Sequence, residues 1–141
     1  MQNYHNLVFR EEEREMIPYC KATGVGLMPW SPIARGALAR PFNDKTGSHR
    51  EQTDPLVNQR GRSSTADEEI IKRVEQLAQK YGVSMACIAT AWTIYRGDCP
   101  IAGLNSESRM DEIVKGLSFR LSEEDAKYVE EPYVPKPVTG Y

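Results

Sequence analysis

Histidine and cysteine, on which much hydrolytic, redox and metal chemistry depends, are scarce in this chain and badly spaced for it. Two histidines, His5 and His49, and three cysteines, Cys20, Cys87 and Cys99, are spread over 141 residues. There is no Cys-x-x-Cys pair and no histidine at metal-ligand spacing, so a zinc site, a redox dithiol and a hydrolase triad are all poorly supplied. The cysteines read as reduced packing residues. Also missing is any apolar run near the ~18 residues that cross a bilayer. The opening MQNYHNLVF lacks the basic region and apolar stretch of a secretory leader, so a cytosolic location is expected. A large charge of one sign is absent too: 18 Lys and Arg against 20 Asp and Glu leave a net charge of -2, which argues against a nucleic-acid partner.

What the chain does have is a soluble globular composition, 40% hydrophobic and 27% charged, at the length of one domain. Tyr4, Leu7, Val8 and Phe9 suggest a strand over 2–9. The stretch EEEREMIPYCKATG follows as a helix stopped by Gly24, with Pro18 forcing a late start or a kink. VGLMPW (25–30) reads as a strand buried on both faces, with Pro29 acceptable only near its end. Residues 36–64 form a long polar loop. Thr65-Ala-Asp-Glu68 has the capping-box form, and Ile70, Ile71, Val74, Leu77, Ala78 and Tyr81 then recur at helical spacing up to Gly82. Ser84 caps a second helix with Met85, Ile88, Ala91, Trp92 and Tyr95 inward. CPIAGL (99–104) is a short strand. It leads into a helix from Asn105 or Ser106 whose stripe is Met110, Ile113, Val114 and Leu117. A shorter helix begins near Leu121 and Ser122, and 131–141 form an extended proline-rich tail.

Strands alternating with helices predict an α/β fold with a parallel sheet. Only three strands are available, so both sheet edges would stay open and self-association is a way to close them. An eight-stranded β/α barrel takes about 250 residues, and 141 is roughly half. Ligands of parallel α/β sheets bind beyond the carboxyl ends of the strands, where helix N-termini offer N–H groups to anions. Two such ends stand out: Trp30-Ser31-Pro32-Ile33-Ala34-Arg35-Gly36 with Arg40 beyond, and Gly103-Leu104-Asn105-Ser106 with Arg109 and Glu112 one turn into the helix. An aromatic plane, hydroxyl and N–H groups and guanidinium forks suit a dinucleotide or phosphate. Solvated surface charge is the alternative reading of Arg35, Arg40 and Arg109.

QNYHNLVFREEEREMIPYCKATGVGLMPWSPIARGALARP, GVSMACIATAWTIYRG and PIAGLNSESRMDEI, in that order, resemble the C-terminal half of aldo-keto reductases, in the branch of aryl-alcohol dehydrogenases and potassium-channel β subunits. The resemblance implies the last three strands of a (β/α)8 barrel that binds NADP(H) without a Rossmann fold and reduces aldehydes or ketones to alcohols. It implies that Gln2 holds the nicotinamide carboxamide and Trp30 stacks on its ring. Ser31, Pro32, Ile33, Ala34, Arg35 and Gly36 would wrap the pyrophosphate, with Arg40 near the phosphates. Gly103 and Asn105 would surround the 2'-phosphate, and Arg109 and Glu112 would clamp that phosphate and the adenine. Ile113 departs from the family, where asparagine often follows the glutamate. The family's catalytic Asp-Tyr-Lys-His tetrad belongs to the first half of the barrel, so no catalytic residue is assigned here, and Tyr4 and His5 are not substitutes for it. The expectation is a truncated NADP(H)-dependent reductase, with a non-enzymatic nucleotide-sensing or interaction module as the alternative.

Overall fold

The computed structural model describes residues 1–44 and 62–137. The middle of the polar loop, 45–61, and the end of the tail, 138–141, lie outside the described residues. The frame is three short extended segments lying side by side. Residues 26–30 take the centre. On one side Met28 N–H donates to Met1 O (2.8 Å) and Trp30 N–H to Asn3 O (2.9 Å), and on the other Leu27 O and Pro29 O accept from Cys99 and Ile101 N–H, 2.9 Å each. Tyr4 pairs with Trp30, and Trp30 with Ile101, both in parallel.

The three expected strands are thus present as segments in the expected parallel sense. Among the described residues, however, pairing stops at isolated bridges and no full strand forms. Pro29 is one cause, since it has no N–H to return to the Cys99 segment. Pro100 does less harm. Its neighbours Cys99 and Ile101 turn their N–H groups inward, which leaves the missing donor on the outer edge. The strand expected over 2–9 is cut short by a turn: Asn6 N–H donates to Phe9 O (3.1 Å) and Phe9 N–H to Asn6 O (3.0 Å). Asn6 Oδ1 also accepts from Val8 N–H at 3.1 Å, the local bond by which asparagine imitates a backbone turn.

Burial alternates along two of the segments. Leu27, Pro29 and Asp98 are buried while Met28, Cys99 and Ile101 are exposed, as the period-two pleat requires, whereas in the first segment Gln2 is exposed and Asn3, Tyr4, His5 and Asn6 are all buried. The buried side meets α1 (Met16–Thr23), where Leu27 packs with Ile17 and Cys20. A 3₁₀ turn over Glu11–Arg14 precedes this helix, so Pro18 falls in its first turn, where a missing N–H costs nothing. Gly24 closes it at φ 73°, a left-handed cap that glycine adopts without strain.

The main core lies among the later helices: α2 (Thr65–Tyr81), α3 (Met85–Tyr95), α4 (Glu107–Ser118) and α5 (Glu123–Glu130). α3 packs against α2 and α4, and α2 against α5. Ile70, Ile71, Val74, Ile88, Trp92 and Val129 are fully buried there with Leu7, Val8 and Leu38. Ser64, not Thr65, caps α2, its side chain accepting from Asp67 N–H. Ser84 caps α3 as expected, through Cys87 N–H.

Two expected stripes are corrected. Tyr95 is 43% exposed, and on α4 Met110, Val114 and Leu117 are exposed while Ile113 is half-buried. Among the described residues nothing covers that face, and α4 is buried only at Gly116, against Cys87. The tail leaves helical structure after α5 and is tied down. Tyr133 Oη donates to Glu11 (2.5 Å), Lys136 N–H to the same carboxylate (2.6 Å), and Lys136 Nζ meets Asp67 at 2.6 Å. Among the described residues no helix is long and apolar enough to cross a membrane, and no cluster of His, Cys, Asp or Glu could hold a metal ion.

Candidate functional site

The parallel pairing fixes where the predicted residues meet. Because Trp30 bridges Ile101, the chain leaves the sheet at Ser31 and at Ala102 from adjacent points of the same end. Gln2 is exposed and Trp30 half-buried, and Gln2 shares a sheet face with Tyr4, whose ring lies 4.5 Å from the Trp30 indole. The Arg35 guanidinium sits 5.8 Å from the Trp30 ring centroid, a cation over an aromatic face.

Beyond Trp30 the backbone turns sharply. Ser31, Ala34 and Arg35 all have positive φ (56°, 49° and 57°), followed by Gly36 at 101°. Left-handed conformations at non-glycine residues cost of order 1 kcal/mol each and persist only where the surroundings impose them. Here Ser31 O accepts from Ala34 N–H (2.9 Å) and from Asn6 Nδ2 (3.1 Å), and Ile33 O accepts from Gly36 and Leu38 N–H (2.9 and 3.2 Å). Ala34, Ala37 and Leu38 are buried and anchor the turn to the core. The N–H groups of Ala37 and Ala39 are likewise taken up inside the turn, by Ala34 O and Gly36 O (3.1 Å each), so the turn is held largely by its own backbone. Pro32 is buried, Ile33 is half-buried against the core, and Arg40 is half-buried with its carbonyl facing Arg62 at 3.3 Å.

At the second exit Gly103, Asn105 and Arg109 are exposed and Glu112 is half-buried. Arg109 Nη1 donates to Asn105 Oδ1 at 2.7 Å, joining the loop to the first turn of α4. Ser106 makes no side-chain cap bond there.

Behind the first exit lies a buried charge network. His5 Nδ1 is 3.2 Å from Asp98 Oδ2 and Nε2 is 2.8 Å from Glu13 Oε1. Arg10 grips Glu13 through Nε (2.9 Å) and Nη2 (2.8 Å), Arg96 approaches it at 3.4 Å, and Glu130 accepts from Trp92 Nε1 at 2.7 Å. Burial disfavours the charged imidazolium, but the hydrogen bonds to Asp98 and Glu13 outweigh it and raise the His5 pKa. Burial likewise opposes ionisation of Glu13, yet bonds from His5 and Arg10 bring its carboxyl down to about 2.

The sheet end presents an indole and guanidinium groups, while Tyr4 is buried and His5 is clamped by two carboxylates, so neither is placed to give a substrate its proton. Arg62 escaped the sequence reading. Its guanidinium collects Phe42 O (2.9 Å), Pro41 O (3.2 Å), Arg40 O (3.3 Å) and Ala37 O (3.4 Å), holding the backbone that follows the strained turn. No periodicity marks such a residue. Its only signal is an arginine two residues before the serine that caps α2.

A model of the Aldo/keto reductase family matches residues 1–133. The versiconal hemiacetal acetate reductase of Aspergillus parasiticus is 53% identical over 141 residues, covering 98% of this chain and 41% of that protein. A Schizosaccharomyces pombe protein carrying the aryl-alcohol dehydrogenase name is 51% identical over 140 residues, covering 99% of this chain and 40% of that one. The chain thus spans about 40% of the length of these relatives. Among solved structures, the glycerol dehydrogenase of Gluconobacter oxydans superposes with a TM-score of 0.76 at 21% identity, over 99% of this chain and 44% of that one. At that identity the likeness speaks for the fold alone, and the coverage is consistent with part of a barrel.

Proposed function

This chain belongs to the aldo/keto reductase family, and from that premise we propose that it forms the cofactor-holding part of an NADP(H)-dependent carbonyl reductase. The parent reaction reduces an aldehyde or ketone to an alcohol, the cofactor supplying the hydride. The observation that carries the proposal is the parallel bridge from Trp30 to Ile101, which sets the two sheet exits side by side. Gln2 holds the carboxamide and Trp30 takes the nicotinamide ring. The turn from Ser31 to Gly36, with Arg40, receives the pyrophosphate. Gly103, Asn105 and Arg109 receive the 2'-phosphate, and Glu112 the adenine. The Arg109–Asn105 bond supports this, because it presets the fork at the loop it would close.

Calorimetric titration with NADPH, run beside an absorbance assay with an aromatic aldehyde, tests the proposal. Binding that is weakened in Trp30→Ala and Arg109→Ala supports the site, and absence of binding at millimolar cofactor overturns it. Binding without turnover favours the non-enzymatic nucleotide-sensing reading, which the burial of Tyr4 and the clamping of His5 also favour. Three cysteines without disulfides fit a cytosolic setting. The open sheet face at Met28 and Ile101 supports association of two copies that cover it. Light scattering that reports a stable monomer refutes that association.

A further inference from the structure

The buried ring of His5 takes no part in the proposed site, yet it stands directly behind it. We infer that His5 is held as the doubly protonated imidazolium and, in that form, is a positioning residue for the junction of Trp30 and Ser31. The inference stands apart from cofactor binding, since it concerns the platform whether or not a nucleotide uses it.

The first half rests on geometry. The ring is 1% exposed, and each nitrogen lies within hydrogen-bond distance of a carboxylate oxygen, Asp98 on one side and Glu13 on the other. A carboxylate only accepts, so both nitrogens must donate. A neutral ring would set a bare lone pair against one of the two anions. The charges around it agree. The sheet segment contributes His5, the 3₁₀ turn Glu13 with Arg10 just before it, the end of α3 Arg96 and Asp98, and α5 Glu130. Arg10 also faces the Tyr133 ring, and the ring of His5 lies 5.1 Å from that of Trp92. Three carboxylates balance two guanidinium groups only if the imidazole carries the third positive charge.

The second half follows from the residues on either side. Tyr4 pairs with Trp30 through backbone and rings. Asn6 donates through Nδ2 to Ser31 O at 3.1 Å and shapes its own turn through Oδ1. His5 is the anchor between these two grips. When it loses a proton, Asp98 or Glu13 faces a lone pair inside the protein, and the segment that holds Trp30 and Ser31 loses its fixed point.

Two measurements on the full chain decide this. In ¹⁵N-labelled protein whose second histidine is removed by His49→Gln, both ring nitrogens of His5 carry protons at pH 7, and the ring titrates above the ordinary 6.5. A neutral ring at pH 7 overturns the inference. In the second measurement, amide exchange corrected for intrinsic base catalysis is followed through that transition. The Trp30 amide exchanges about tenfold faster above it, a change equivalent to ~1.4 kcal/mol of local opening, while the Ile71 amide in α2 is unmoved. His5→Gln shows the same selective acceleration at pH 6, and adding Asp98→Asn, which restores charge balance, reverses it. Equal acceleration at Trp30 and Ile71, or none at Trp30, overturns the positioning role. If His5→Gln does not fold, the pH series on unsubstituted His5 decides alone.

Discussion

Glu13→Gln removes one anion from the network behind the sheet and keeps the side chain's shape. The Glu13 carboxylate sits on the 3₁₀ turn and meets His5 (2.8 Å), Arg10 (2.9 and 2.8 Å) and Arg96 (3.4 Å). Its pKa falls from 4.5 to about 2. That fall corresponds to ~3 kcal/mol favouring the ionised form in the folded state. With the side chain 19% exposed, solvent screening trims the figure to ~2 kcal/mol. Against a typical total of ~5–15 kcal/mol for a domain, this is a large loss, equivalent to about 1 M in the urea midpoint. The sign with pH follows from the depressed pKa. The contribution of Glu13 is complete above its unfolded pKa of 4.5 and is lost as pH falls toward about 2. Urea unfolding read by tryptophan fluorescence at pH 7 and at pH 3 therefore shows the full deficit at pH 7 and a deficit cut by about half at pH 3, about one unit above the folded-state pKa. A variant within ~0.5 kcal/mol of the parent at pH 7, or one whose deficit persists unchanged at pH 3, refutes the reasoning.

Three further perturbations reach other parts of the molecule. Trp30→Ala weakens NADPH binding by about tenfold, and Arg109→Ala lowers the preference for NADPH over NADH by a similar factor, since charge-assisted bonds to the 2'-phosphate contribute ~1.5–3 kcal/mol. Competitive titration with the two cofactors reads both. Gly116→Ala gains up to ~1 kcal/mol of helix propensity, but its new Cβ would stand 3.0 Å from Cys87 Sγ and 3.6 Å from Cys87 Cβ. In thermal unfolding the change is therefore neutral to destabilising, and it becomes stabilising in a Cys87→Ala background. Asp67→Ala removes the acceptor of Ser63 N–H (3.0 Å), Ser63 Oγ (3.2 Å) and Lys136 Nζ (2.6 Å), costing ~2–3 kcal/mol for a buried charge partner. Amide exchange at Lys136 then rises before that of α2.

The sequence carried the helices well and the sheet only in outline, for different physical reasons. Ser84, Gly82 and Gly24 act through their own backbone and nearest neighbours, so the limits of α1, α2 and α3 are local information. Ser64 and Thr65 can both cap a helix, and the choice fell to Ser64 where Asp67 could also accept from Ser63 and Lys136, the last contact 69 residues away. Parallel order made it legible that the Trp30 and Ile101 exits would be neighbours. His5 and Arg62 were not legible, because one is defined by Asp98, 93 residues distant, and the other by four carbonyls that no side-chain pattern reveals. The α4 stripe is the most instructive difference. Met110, Val114 and Leu117 keep helical period, and Met28 and Ile101 keep sheet period, yet all five are exposed. Periodicity reports that a face is apolar, and burial needs a second surface. Among the described residues that surface is missing, so the sheet face and the α4 stripe stand open together. This is the geometry expected of a barrel wall whose packed interior needs partners from the remaining strands.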